Sequence, residues 1–130
     1  MVAAGIGTAL KKIADAYQEC IDVSMEFGGT MSTVEALSGA NAVQMQELTA
    51  KAKELGAQTS FTANQSAEAM TYMGMAGWDA NDMLSGMNGM INLAAASGED
   101  LALVSDIVTD NLTAFGLTAK DTAHFADVLA

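Results

Sequence analysis

Three times along this chain a large apolar residue is followed by a helix-capping residue, then Ala, and two places later by an acid or amide. The three copies are Phe61-Thr62-Ala63-Asn64-Gln65, Trp78-Asp79-Ala80-Asn81-Asp82 and Leu117-Thr118-Ala119-Lys120-Asp121. A Thr or Asp at the cap accepts from a backbone N–H that the first helical turn leaves unpaired. The residue three places on reaches back to the cap's own N–H. The pattern therefore predicts helix starts at Thr62, Asp79 and Thr118, and Ser97-Gly98-Glu99-Asp100 adds a fourth at Ser97. Gly77 and Gly116 stand directly before two of the copies. As left-handed residues just past a helix end, they would fold Trp78 back on Met73 and Leu117 on Leu112.

Around these junctions the chain has every reason to be helical. No Pro occurs in 130 residues, and an apolar content of 51%, dominated by Ala, Met and Leu, is enough for a core. The predicted fold class is all-α: a long N-terminal helix, then a series of short capped helices packed as a bundle. The first helix is expected over Val2 to Phe27, ended by Gly28-Gly29, with Ile6, Leu10, Ile13, Tyr17 and Cys20 spaced four and three apart. That spacing is a heptad seam, which suits self-association as a homo-oligomer or packing against later helices, although Ser24 interrupts it. A brief turn near 31–37 and a loop at 38–41 lead to Asn41 as cap. The next helix should carry Met45, Leu48, Ala52 and Leu55 on one face and stop at Gly56. Helices over Ala80 to Ala95 and Glu99 to Phe115 complete the series, each with a broad apolar stripe. Gly86 and Gly89 inside the former imply close approach of a neighbour. Two units follow: 1–40, an N-terminal helix and loop, and 41–130, a helical core region.

Charge excludes several functions. Five Lys and Arg against 16 Asp and Glu give a net charge of −11, with the excess concentrated in the second half. A nucleic-acid site needs a basic stripe, and none exists, so neither direct DNA or RNA binding nor adhesion to anionic lipid is expected. The longest uncharged run, Met83 to Gly98, is too short and polar to span a bilayer. No export signal is evident, because the lysines follow the first apolar stretch. Cys20 is alone, which suits a reducing cytoplasm.

Catalytic chemistry has little to work with. His124 is the only histidine, so no multi-histidine metal site is possible, and no cofactor motif occurs. Asp106 and Asp110, and Asp79 and Asp82, lie about one turn apart, where capping and solubility explain them more simply than acid–base work. Of ten methionines, six fall between Met70 and Met90. They read as core filling, with an adaptable binding groove as the alternative, as in a free-standing helical adaptor or chaperone.

Several separate stretches, in order, carry a resemblance. Leu55-Gly56-Ala57-Gln58-Thr59-Ser60-Phe61-Thr62-Ala63, Ala67-Glu68-Ala69-Met70, Met75-Ala76-Gly77-Trp78-Asp79-Ala80 and Leu93-Ala94-Ala95-Ala96-Ser97-Gly98-Glu99-Asp100-Leu101 are the first four. Asp106-Ile107-Val108, Ala114-Phe115-Gly116-Leu117 and Ala126-Asp127-Val128-Leu129-Ala130 follow. Over about residues 45–130 the chain resembles the core region of bacteriophage tail tape measure proteins. The resemblance implies a structural, non-enzymatic segment of a much longer helical protein. Such a protein lies inside the tail tube of the virion, is made in the host cytoplasm, sets tail length during assembly, and leaves with or ahead of the DNA. Tail tube and tail assembly or tip proteins are the implied partners. Ending in mid-pattern at Ala130, the sequence is expected to be a piece of that longer protein.

Overall fold

The computed structural model describes the backbone of residues 2–129 and the side chains from Gly7 onward. Six α-helices follow one another: α1 (Val2–Ser38), α2 (Ala42–Gln58), α3 (Ala63–Met75), α4 (Ala80–Ser97), α5 (Leu101–Ala114) and α6 (Thr122–Leu129). A single 3-10 turn, Ala119–Asp121, leads into α6. No strand occurs among the described residues, so the chain is an all-α bundle.

α3 sits at the centre, packed on α1, α2 and α5, while α4 packs on α2, α5 and α6. The core runs through Val34, Leu48, Ala52, Ala67, Met70, Met73, Met83, Met87, Met90, Leu101, Val108 and Leu112. These recur three and four apart within each helix, so each contributes one stripe to a shared interior. Completely burying a Met or Leu side chain contributes roughly 1.5–3 kcal/mol, and this outweighs the modest helix-forming tendency of any single segment.

Two predicted helix ends are corrected. Gly28-Gly29 does not stop α1, which continues to Ser38 and ends at Gly39 with φ 66°. Beyond the glycine pair, Met31 and Val34 are buried in the bundle, so docking holds the helix through its weakest point. The hydroxyls of Thr30, Ser32 and Thr33 also donate to the carbonyls of Glu26, Gly28 and Gly29. Gly56 likewise lies inside α2, which runs on to Gln58. A Cβ there would come within 2.7 Å of the Ala63 backbone nitrogen, so close approach of α3 explains the glycine.

A third correction concerns Ser97, which is the last residue of α4 rather than the start of a helix. Gly98, at φ 73°, ends that helix, and Asp100 caps α5, accepting from the N–H groups of Ala102 and Leu103 at 2.7 and 3.3 Å. The apolar stripe of α5 also stops one residue early. Leu101, Val104, Val108 and Leu112 are buried, but Phe115 is 69% exposed and meets the Phe125 ring at 6.3 Å.

Candidate functional site

Reciprocal cap hydrogen bonds recur at the junctions. At Thr62 the cap hydroxyl accepts from Gln65 N–H at 3.1 Å, and Gln65 Oε1 accepts from Thr62 N–H at 2.7 Å. Asp79 and Asp82 make the same reciprocal pair at 2.9 and 3.1 Å. At Thr118, the Asp121 carboxylate takes both the backbone N–H and the hydroxyl of Thr118, at 2.8 and 3.2 Å, and a 3-10 turn starts there. Asn41 and Gln44 form a further reciprocal pair ahead of α2.

The helix ends before Trp78 and Leu117 share one backbone arrangement. Gly77, at φ 92°, donates to Gly74 while Trp78 N–H donates to Met73 at 3.0 Å. Gly116, at φ 69°, donates to Thr113 while Leu117 N–H donates to Leu112 at 2.8 Å. A left-handed residue at that position satisfies two orphan carbonyls, which is why glycine is used. The side chains then differ. Trp78 is buried against α4, where a Cβ on Gly86 would lie 2.4 Å from its Cζ3, whereas Leu117 stays substantially exposed. Phe61 is half-buried against the core, and Thr59 rather than a glycine ends the helix before it. Gly89 lets α6 approach as Gly86 admits Trp78, since its Cβ would meet Thr122 Cγ2 at 3.0 Å.

The seam lies elsewhere. From Gly7 to Glu26, α1 extends beyond the bundle and no side chain in that stretch is buried. Leu10, Ile13 and Tyr17 are 61%, 66% and 69% exposed, and Cys20 is a free, exposed thiol. The side chain of Ile6 lies outside the described residues. Phe27 is the first described residue of α1 that packs on the core, and it has the Lys53 ammonium 5.9 Å from its ring centroid.

Of the groups weighed for chemistry, the histidine stands apart and three aspartates are used structurally. His124 is exposed on α6, and Asp79, Asp82 and Asp121 are occupied as caps. No cluster of three or more His, Cys, Asp or Glu side chains suited to a metal ion exists among the described residues. No described helix is long and apolar enough to cross a membrane. The methionines are core rather than groove: Met70, Met73, Met83, Met87 and Met90 are completely shielded, and only Met75 of the six reaches solvent.

Sequence reasoning missed one feature. A groove of about 920 Å³ runs over α3 between α1 and α5, lined by Tyr72, Met75 and Leu103 and by the carboxylates of Glu26, Glu68, Asp100 and Asp106. Its signal was available in part, since Tyr72, Met75 and Leu103 are large apolar residues that fall off the core stripes of their helices.

Comparison with known proteins places the sequence rather than the fold. The family model described as phage-related minor tail protein matches residues 49–130. The tape measure protein of Pneumococcus phage Dp-1 is 40% identical over 110 residues, which is 85% of this chain and 10% of that relative. The chain thus spans about a tenth of the length of the curated relative it matches. No solved structure matches it. The matched region holds α3 to α6 with all three repeated junctions, and by that match the chain belongs to the phage-related minor tail protein family, to which its likeness to a tape measure protein corresponds.

Proposed function

We propose that the chain is a structural segment of a tail tape measure protein that sets tail length during assembly and resides in the virion tail. The match over residues 49–130 carries this reading. The folded chemistry supports a structural role, because the acidic side chains of Asp79, Asp82 and Asp121 at the junctions hold helix ends. The tail tube and the assembly or tip proteins are its partners. In-frame removal of this segment from the parent gene, with tails measured by electron microscopy, tests the proposal. Tails shortened by up to about 200 Å, the helical rise of the whole segment, or a failure of tail assembly, are expected. Normal numbers of tails with unchanged length would overturn it.

Within that role, the N-terminal unit, residues 1–40, self-associates through its exposed stretch before Phe27, while its last turns, with Met31 and Val34, dock into the core region of residues 41–130. The heptad supports this division. With Leu10 and Tyr17 in one core position and Ile6, Ile13 and Cys20 in the other, the flanking positions hold Gly7, Ala9, Ala14, Ala16, Ile21 and Val23. Lys11, Lys12, Asp15, Glu19, Asp22 and Glu26 all fall on the outer positions. So wide an uncharged face, with Leu and Ile alternating in its core, favours bundles of three or more helices over a pair. Light scattering of the purified chain is expected to give an oligomer that Ile13→Asp dissociates. A monomer unaffected by that substitution removes the self-association reading and leaves the tail role untouched.

A further inference from the structure

The groove over α3 is a helix-sized cleft with a defined chemistry. Its floor is the outer face of α3, where Glu68, Thr71, Tyr72 and Met75 follow one another at spacings of three, one and three. One wall is α1 through Glu26, Gly29, Thr30 and Thr33, at the same spacings, and the other is the start of α5 through Asp100, Ala102, Leu103 and Asp106. Both walls pack directly on α3. Two helices that each lie 8–10 Å from a third leave a channel between them on its open side, and a helix about 10 Å across seats there.

The lining combines two properties. Met75 and Leu103 are 65% and 47% exposed, and Tyr72 is partly exposed beside them, so the groove offers apolar surface that nothing among the described residues covers. Gly29 and Ala102 on the walls allow a close backbone approach. Around that floor stand the carboxylates of Glu26, Glu68 and Asp106, joined by Asp100, whose Oδ1 caps α5 and whose other oxygen makes no cap bond, with no Lys or Arg among the lining residues. A second copy of this chain, with a net charge of −11 and five Lys and Arg, would bring more acid to an acidic site.

From this complementarity we infer that the groove between α1, α3 and α5 docks a basic amphipathic helix belonging to another protein. Its apolar face lies on Tyr72, Met75 and Leu103, and its Lys or Arg side chains reach the four rim carboxylates. This is the helix-in-groove mode of recognition, in which apolar anchors supply affinity and rim charges supply orientation and partner choice. The site is separate from the seam on the exposed part of α1, so one arm can associate with copies of itself while the bundle holds a different protein.

The test uses the whole chain and two synthetic helices about five turns long, with the same Leu face and either Lys or Glu on the remaining positions. Fluorescence anisotropy is expected to show the Lys helix binding at least about tenfold more tightly than the Glu helix, with affinity falling as salt rises. Truncating the exposed anchors in Met75→Ala/Leu103→Ala keeps every charge and should weaken binding about tenfold. Glu47→Gln/Glu54→Gln removes two charges from α2, away from the groove, and should leave affinity within about twofold. Circular dichroism of each variant confirms that the bundle is intact. Equal binding of the Glu helix overturns the proposal. So does a Lys helix whose affinity ignores the anchor truncations, because that result is charge attraction without a site.

Discussion

The exposed half of α1 and the whole of α4 are both apolar helices interrupted by glycine, and they meet opposite fates. In α4 nine of 18 residues are buried, under α2, α3, α5 and α6. Between Gly7 and Glu26 of α1 none is. Their glycines differ in the same way. A Cβ on Gly86 would strike the Trp78 ring at 2.4 Å, whereas a Cβ on Gly7, or on Gly28 just past the exposed half, would meet nothing within 4 Å. Apolar periodicity thus says that a face is available to be covered, and only the tertiary arrangement says by what.

Substitutions can break or sharpen that contrast. The largest effect is expected from Met83→Asp, which puts a carboxylate at a completely shielded position of α4. It should cost at least about 4 kcal/mol and abolish the cooperative thermal transition seen by circular dichroism. Gly86→Ala comes next, with a loss of about 2 kcal/mol in urea unfolding, since overpacking against Trp78 exceeds the gain in helix propensity. Gly28→Ala should have the opposite sign, raising stability by about 1 kcal/mol, because the added methyl enters open space in a helix interior. A destabilised Gly28→Ala variant would mean that this part of α1 packs closely against something. Smallest of all, Ile13→Asp at a dilution where the chain is monomeric should shift the unfolding free energy by less than about 0.5 kcal/mol. A cost matching that of Gly86→Ala would erase the distinction between the two regions.

The candidate surfaces were unevenly legible. Thr62 and Asp79 could be placed as caps from their neighbours alone, because a cap and its partner three residues on form a local unit; Thr118 takes the cap position, but its hydroxyl donates to Asp121 instead of accepting from a backbone N–H. Ser97 misled because Ser-Gly-Glu-Asp offers two capping residues in succession, and the left-handed Gly98 between them assigned the start to Asp100. The core role of Met83, Met87 and Met90 followed from their spacing in α4 and that of Met70 and Met73 from methionine's use as core filling, an expectation that the exposed Met75 does not meet. The groove did not, since its three walls come from segments distant in sequence, and Glu26 and Asp106 are neighbours only through α3.

Sequence by itself determined the all-α class, the chain reversals at Gly77 and Gly116, and the seam from Leu10 to Cys20. These rest on interactions within a few residues of each other. Only the tertiary structure decided that α1 passes through Gly28-Gly29, that Gly56 serves close packing and that Phe115 lies outside the core. It also decided that the seam has no partner within the bundle. Each of those outcomes depends on what approaches from elsewhere in the chain: a docked Val34 carries a helix across glycine, an arriving α3 demands a missing Cβ, and an apolar face beyond the reach of the bundle stays open.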